Sequence, residues 1–288
     1  MTPHFSLVVC TVGRVHDLVR LFDSLAAQSC QSFEVVLVDQ SGDERISEVL
    51  DKKGYTFPLS HLRSGRGLSL GRNLALAHIR GNVVAFPDDD CAYPPQTLAK
   101  VKTWLEDAPE LSGLSGRSLD FDGTASGPRA VEKPVFIDAA NIWRCAISYT
   151  IFLRRNVINT IGGFDEKLGV GSGTPYQSGE ETDYLFRALK QEYRLQYLPD
   201  LIVHHPRLNV PSERDLIAKD FRYAVGMGHV VRKNQLGFRY FLPHMCKPLV
   251  GSALSLVRCD LIGARRYLQR ARGRWVGFMH SPPLTASK

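Results

Sequence analysis

The stretch Val83–Asp90 reads VVAFPDDD: four apolar residues, a proline, then three carboxylates. Val83–Phe86 has the composition of a buried strand. Pro87 has no N–H to give to a ladder, so the strand end is expected to be irregular there. The same pattern repeats on either side. Phe5–Thr11 (FSLVVCT) and Glu34–Val38 (EVVLV, stopping at Asp39) read as buried strands, and Leu59–Arg63 as a further one. Between them, Asp17–Ala27, Ser47–Lys52, Leu70–Ile79 and Pro95–Asp107 read as helices; Leu18, Leu21, Phe22 and Leu25 fall at helical spacing. Alternation of this kind predicts an α/β fold, a mixed, mostly parallel sheet with helices on both faces. Such sheets bind ligands beyond the carboxyl ends of their strands, and Asp39 and Asp88–Asp90 both fall at such ends.

Further on the pattern changes. Ser112–Phe136 is rich in Gly, Ser and Asp and reads as loops or short antiparallel strands. Ile147–Leu153 is apolar and β-branched. A Gly-rich loop, Gly169–Gly179, precedes a helix over about 180–191, and Leu195–Tyr197 and Leu201–His204 read as two strand-like pieces. After Pro206 the chain turns helical and basic. The expected division is therefore one domain over 1–206, in two halves of about 1–110 and about 111–206, and a helical basic region over 207–288.

The 288 residues carry a formal net charge of +7, unevenly spread. From Arg207 onward there are 15 Lys and Arg against 4 Asp and Glu, a net of +11. The preceding residues carry 21 basic and 25 acidic side chains, a net of −4. A basic tail of this kind suits an anionic membrane surface, a phosphate-bearing acceptor or simply a solvated face. No recognised nucleic-acid motif accompanies it, so no nucleic-acid partner is expected. None of the six cysteines forms a CxxC pair, which excludes the usual zinc and redox signatures. Scattered thiols, with neither a charged n-region nor a long apolar run at the start, predict a cytoplasmic protein without a secretory signal. The apolar stretch Phe241–Val257 holds two prolines, a His and a Lys and reads as too short and broken to span a bilayer. A peripheral position at the inner membrane face is the expectation that fits it.

Four groups of residues carry chemistry. Three adjacent carboxylates, Asp88, Asp89 and Asp90, repel one another and resist burial. A divalent cation such as Mg²⁺ or Mn²⁺ compensates them, because hard ions take carboxylate oxygens, and it would hold a diphosphate in turn. A solvated turn would explain the same residues. Glu180, Glu181 and Asp183 open a helix, where the dipole favours acids, and one of them is placed to act as a general base; Asp183 could equally pair with Arg187. His204-His205 follows a strand and offers a metal ligand. Asp39 ends a strand and could accept the imino N–H of uracil, thymine or guanine. By contrast, Gly65-x-Gly67-x-x-x-Gly71 is one residue too long for a dinucleotide fingerprint and lacks its acidic partner.

Together these residues resemble the family 2 glycosyltransferases, inverting enzymes of the GT-A fold, over roughly residues 4–206. Val8–Arg14 (VVCTVGR) looks like the family's first strand and donor loop, with Thr11 and Arg14 near the base. Asp39 matches the uracil-binding Asp, and Gly71-Arg72-Asn73 the Arg-Asn helix start near the donor. Asp88-Asp89-Asp90 matches the Asp-x-Asp metal motif, with Asp90 the direct ligand, Asp88 beside it and Asp89 on the donor side. Gly179-Glu180-Glu181 sits where the family usually has Gly-Glu-Asp, the acceptor and base motif, so Glu181 is one methylene longer than the usual base. His205 matches a His after the last strand, a third metal ligand. The resemblance implies transfer of a sugar, with inversion, from a nucleotide-diphosphate donor to a hydroxyl of a saccharide or lipid-linked acceptor. The setting would be cell-surface polysaccharide or glycolipid synthesis. Two rivals remain at this level: a sugar nucleotidylyltransferase, although Val12-Gly13-Arg14 is too short for its phosphate loop, and a non-enzymatic module using the basic tail.

Overall fold

The strands β1 (Phe5–Thr11), β2 (Phe33–Asp39), β3 (Leu59–Arg63) and β4 (Val83–Ala85) form where the apolar runs predict them. β2 is buried at all seven positions, which requires cover on both faces of the sheet. The computed structural model describes residues 3–126, 131–207 and 212–280. Among these an eight-stranded sheet runs in the order β3-β2-β1-β4-β7-β5-β8-β6, with β5 (Gly113–Leu119), β6 (Val135–Phe136), β7 (Phe152–Arg154) and β8 (Leu195–His204) completing it. β1 pairs in parallel with β2 and β4, and β2 with β3. The register sets Thr11 opposite Asp39 and Asp39 opposite Arg63. β7 then enters antiparallel between β4 and β5. The helices are α1 (Val15–Ala26), α2 (Arg45–Lys53), α3 (Leu68–Leu76), α4 (Thr97–Asp107), α5 (Ile142–Cys145), α6 (Arg155–Ile161), α7 (Glu180–Lys190), α8 (Glu213–Lys233), α9 (Gly237–Val257) and α10 (Leu261–Met279). Leu18, Leu21, Phe22 and Leu25 of α1 are all buried, as their spacing requires.

Several expectations are corrected. Ser112–Phe136 is not only loop or antiparallel ribbon: β5 is a seven-residue strand lying parallel to β8. Its sequence, GLSGRSL, hides this because small and polar residues fill a buried strand. Ser115 and Ser118 are buried; Ser115 bonds Cys145 O and Thr150 Oγ1, and Ser118 bonds Tyr149 OH at 2.7 Å. A Cβ at Gly116 would lie 2.0 Å from Leu201 O, so only glycine allows this approach. The two strand-like pieces over 195–204 are one strand, whose pairing with β5 shifts register between Gly116 and Arg117. Ile147–Leu153 is split between a 3₁₀ turn, Ser148–Thr150, and the start of β7. β4 ends at Ala85, two residues before Pro87. Phe241–Val257 is not broken: it lies inside α9, a continuous 21-residue helix with Pro243 and Pro248 within it. No helix among the described residues is long and apolar enough to cross a membrane.

The described residues group into two compact units. One comprises Met1–Arg66, Leu70–Phe164 and Tyr184–Leu208 and contains the sheet; the other comprises Gly67–Ser69, Asp165–Asp183 and Asn209–Lys288. Unlike the contiguous division expected from the sequence, 67–69 and 165–183 group with the C-terminal helices. In that unit α10 meets α8 through glycines. A Cβ at Gly277 would lie 2.0 Å from Val225 O, and one at Gly228 2.1 Å from Arg274 O. Phe241 of α9 stacks on Phe278 of α10, with ring centroids 4.1 Å apart.

Candidate active site

In the sheet unit, the ends of β1, β2 and β4 bring the sequence-predicted residues together. Asp39 is buried. Its Oδ1 accepts from the Ser41 backbone N–H at 2.8 Å. Its Oδ2 has no hydrogen-bond partner; His61 Nε2 lies 3.5 Å away. A buried carboxylate oxygen without a donor costs free energy unless something supplies one. Gln40 anchors the following loop, its backbone N–H donating to Thr11 O at 2.9 Å and its side chain to Ser64 Oγ at 2.9 Å. Sequence reasoning missed His61, which carries no motif and comes beside Asp39 through the β2–β3 pairing.

The three aspartates divide their work. Asp89 is buried and accepts from Thr11 Oγ1 at 2.7 Å and from Arg14 Nη1 at 3.3 Å. Burial pushes its carboxyl up to about 6, against the Thr11 hydrogen bond and the Arg14 charge. Asp88 and Asp90 gather on His205 instead: one ligand atom from each of the three lies within 4.8 Å of the others. Arg14 Nη1 meets Asp90 Oδ2 at 2.6 Å, and His205 Nε2 meets Asp90 Oδ1 at 3.0 Å. Burial raises the Asp90 carboxyl, but its hydrogen bond to His205 and the two cations outweigh that and hold it below the ordinary range. His205 in turn stacks on Tyr149, with centroids 4.4 Å apart and planes 11° apart, and its Nδ1 lies 2.8 Å from Pro206 O. A carbonyl at Nδ1 fixes the ring so that Nε2 faces the carboxylates. His204 stacks on Phe121 and its Nδ1 lies 3.2 Å from Asp120 O, so of the adjacent pair only His205 joins the cluster. Two carboxylate oxygens and one imidazole nitrogen form a donor set that suits Mg²⁺ or Mn²⁺.

Arg72 is buried with its Nη2 3.4 Å from Asp88 Oδ1, over the rings of Phe86 and Phe164 at 5.6 and 5.3 Å. It also donates to Ser148 Oγ. Asn73 brackets the backbone of Phe164: Nδ2 donates to Phe164 O at 3.0 Å and Oδ1 accepts from Phe164 N at 2.7 Å. A Cβ at Gly71 would come within 2.9 Å of Cys10 Sγ, so the glycine allows α3 to close on β1.

In the helical unit, Glu180, Glu181 and Asp183 open α7. Glu180 is buried, with its Oε2 3.1 Å from where a Cβ of Gly169 would stand. Asp183 is fully buried and held by Lys233 Nζ at 2.8 Å and Asn234 Nδ2 at 2.9 Å. Lys233 Nζ also pairs with Asp165 Oδ2 at 2.7 Å. One ammonium thus closes both ends of the loop Asp165–Asp183. Burial raises the Asp165 carboxyl, and the Lys233 hydrogen bond and charge bring it below its usual range. Glu181 is the only one of the three α7 acids that is not buried. Lys233 and Asn234 stand 50 and 51 residues from Asp183, and no local pattern connects them.

The description of glycosyl transferase family 2 matches residues 6–155, more than half of the chain, and the chain belongs to that family. Membership of that family favours sugar transfer over the nucleotidylyltransferase and binding-module readings. An uncharacterized glycosyltransferase of Haemophilus influenzae is 29% identical over 109 residues, covering 37% of this chain and 36% of that protein. The succinoglycan biosynthesis protein ExoO of Rhizobium meliloti is 28% identical over 184 residues, covering 59% of this chain and 53% of its own length. The chain thus spans between about a third and a half of these relatives. Among solved structures, the mannosyltransferase PcManGT from Pyrobaculum calidifontis, in complex with GDP-Man and Mn²⁺, matches with a TM-score of 0.62 at 15% identity, covering 96% of this chain and 88% of that one. That likeness establishes the GT-A fold.

Proposed function

We propose that the protein transfers a sugar, with inversion, from a nucleoside diphosphate donor to a hydroxyl of a saccharide or lipid-linked acceptor, with a divalent cation held by Asp88, Asp90 and His205. The observation that carries this reading is the cluster of those three ligand atoms within 4.8 Å, at the strand ends where such sheets bind ligands. The orphaned Asp39 Oδ2 supports it separately. An imino N–H of uracil, thymine or guanine supplies the missing donor. Bound there, Mg²⁺ or Mn²⁺ would neutralise charge building on the departing diphosphate.

The residues of the chain do the rest. Arg14, half-exposed and already on Asp90 and Asp89, is placed to turn to a phosphate. Thr11 keeps Asp89 in position, and Asn73 fixes the Phe164 backbone beneath Arg72. Glu181 takes the proton from the acceptor hydroxyl. The acceptor oxygen bonds to the anomeric carbon on the face opposite the diphosphate, the carbon–phosphate oxygen bond breaks, and the configuration inverts through an oxocarbenium-like state. Kinship with a succinoglycan biosynthesis protein supports a place in cell-surface polysaccharide or glycolipid synthesis.

Thermal-shift titration with nucleoside diphosphates, with and without Mn²⁺, tests the metal. A nucleotide at about 100 times its Kd stabilises the native state by about 2.7 kcal/mol. The wild type is expected to show that rise only with the ion, and Asp90→Ala to lose it while keeping its circular dichroism. Unchanged nucleotide affinity in Asp90→Ala, or full transfer in excess EDTA, overturns the assignment.

A further inference from the structure

The helical unit buries one seam and leaves a broad apolar face uncovered. In α9 the buried residues are Phe241, Pro248 and Ser255, spaced every seven and so on one side of the helix. Phe238, Leu242, Leu249, Val250, Leu254 and Val257 are all exposed; at 100° per residue Val250 and Val257 lie opposite that seam, and the others spread from there round its flanks. α10 differs: Ala264, Ala271, Gly273, Gly277 and Phe278 are buried, and Leu261, Leu268, Trp275 and Met279 form an exposed stripe along one flank of the Ala264–Ala271–Phe278 line, with Arg265 and Arg272 exposed beside it. The two stripes meet at the turn between the helices, where Val257 is 82% exposed and Leu261 60%. The turn is built, not frayed: Asp260 caps α10 by accepting from Gly263 N at 2.8 Å, and Ser252 Oγ donates to Ala264 O at 3.0 Å. Solvent-facing apolar residues on this scale, on well-packed helices, mark an interaction surface.

Charge selects the occupant. From Gly237 to His280 there are eight Lys and Arg and one Asp. A face with such an excess of one sign repels a second copy of itself and attracts an anionic partner. Apolar residues interleaved with arginines, and a tryptophan on the same stripe, match a bilayer interface, where aliphatic groups enter the acyl boundary and guanidinium groups stay among the headgroups. We infer that the α9–α10 hairpin docks the protein on an anionic phospholipid bilayer, with the Val257–Ile262 tip entering it. All the residues used lie in the helical unit, and the inference does not rest on the transfer chemistry proposed above.

Flotation of the full chain with vesicles tests it. Phosphatidylcholine vesicles are compared with vesicles holding about 30 mol% phosphatidylglycerol, at about 0.05 M and about 0.5 M NaCl. The wild type is expected to float with the anionic vesicles at low salt and to lose most of that binding at high salt. Val257→Asp with Leu261→Asp removes flotation; both sites are exposed, so the thermal midpoint and Mn²⁺-dependent nucleotide binding stay unchanged. Arg265→Glu with Arg272→Glu lowers partitioning by about tenfold or more, since each basic residue near such a surface is worth about fivefold. Absence of flotation by folded wild type overturns the inference, as does flotation that survives the Val257→Asp, Leu261→Asp change. A concentration-dependent dimer that this change dissociates, without vesicle binding, also overturns it and gives the face to a second copy.

Discussion

Glu181 and Asp183 sit two residues apart on α7 and differ in burial. Asp183 is fully buried with both oxygens taken, one by Lys233 and one by Asn234, so it has no geometry for receiving a proton from an acceptor. Glu181 is partly exposed, and that contrast supports the base role proposed for it. Glu181→Gln keeps size and hydrogen bonding but removes basicity. Transfer is expected to fall by about 10²-fold or more, with nucleotide and Mn²⁺ affinity unchanged. Asp183→Asn instead breaks a buried ion pair, a class of change that costs about 3–5 kcal/mol, so it is expected to lower the thermal midpoint, whereas Glu181→Gln leaves the midpoint in place. Single-turnover rates and melting curves of the two variants separate the roles. Near-wild-type transfer by Glu181→Gln, with Glu180→Gln inactive, moves the base to that neighbour.

At the scale of elements, close approach depends on glycine. α10 touches the α8 backbone at Gly277, where any side chain meets Val225 O and, at 2.9 Å, His229 N. Gly277→Ala is expected to destabilise the protein by about 1–3 kcal/mol through overpacking, read as a lower midpoint in thermal unfolding; an unchanged midpoint would mean the helices part without cost. The same dependence explains what was legible in the sequence. β1, β2 and β4 announce themselves because apolar β-branched residues end in carboxylates, and these strands carry Thr11, Asp39 and the Asp88–Asp90 group. β5 was hidden because its interior is Gly and Ser, whose partners, Cys145 O, Thr150 and Tyr149, lie some 30 residues away. Tyr149 under His205 and His61 beside Asp39 were missed for the same reason: stacking and register are made by the fold and leave no local spacing. Prolines at 243 and 248 read as breaks, yet α9 carries both.

For the whole molecule, the unit that contains Glu180, Glu181 and Asp183 is not contiguous in sequence: Asp165–Asp183 belongs with the α8–α10 helices. A fragment ending at Arg207 would retain Asp39, Asp88, Asp90 and His205 but lose Lys233 and Asn234. It is expected to lack transfer activity and to expose apolar surface, seen as increased dye binding and aggregation on size exclusion. Transfer by the fragment at near the full-length rate would show that the helical unit is dispensable for catalysis. The lysine that closes the 165–183 loop also sets an order in time. During synthesis at about 5–20 residues per second, the α7 acids leave the ribosome several seconds before Lys233, which follows Asp183 by 50 residues. Through that interval the nascent chain has the carboxylates of Asp88–Asp90 and an untied 165–183 loop. On the roles proposed above, the ability to transfer sugar waits for α8, a delay between completing the carboxylates that would hold the ion and tying the loop that leads to Glu181.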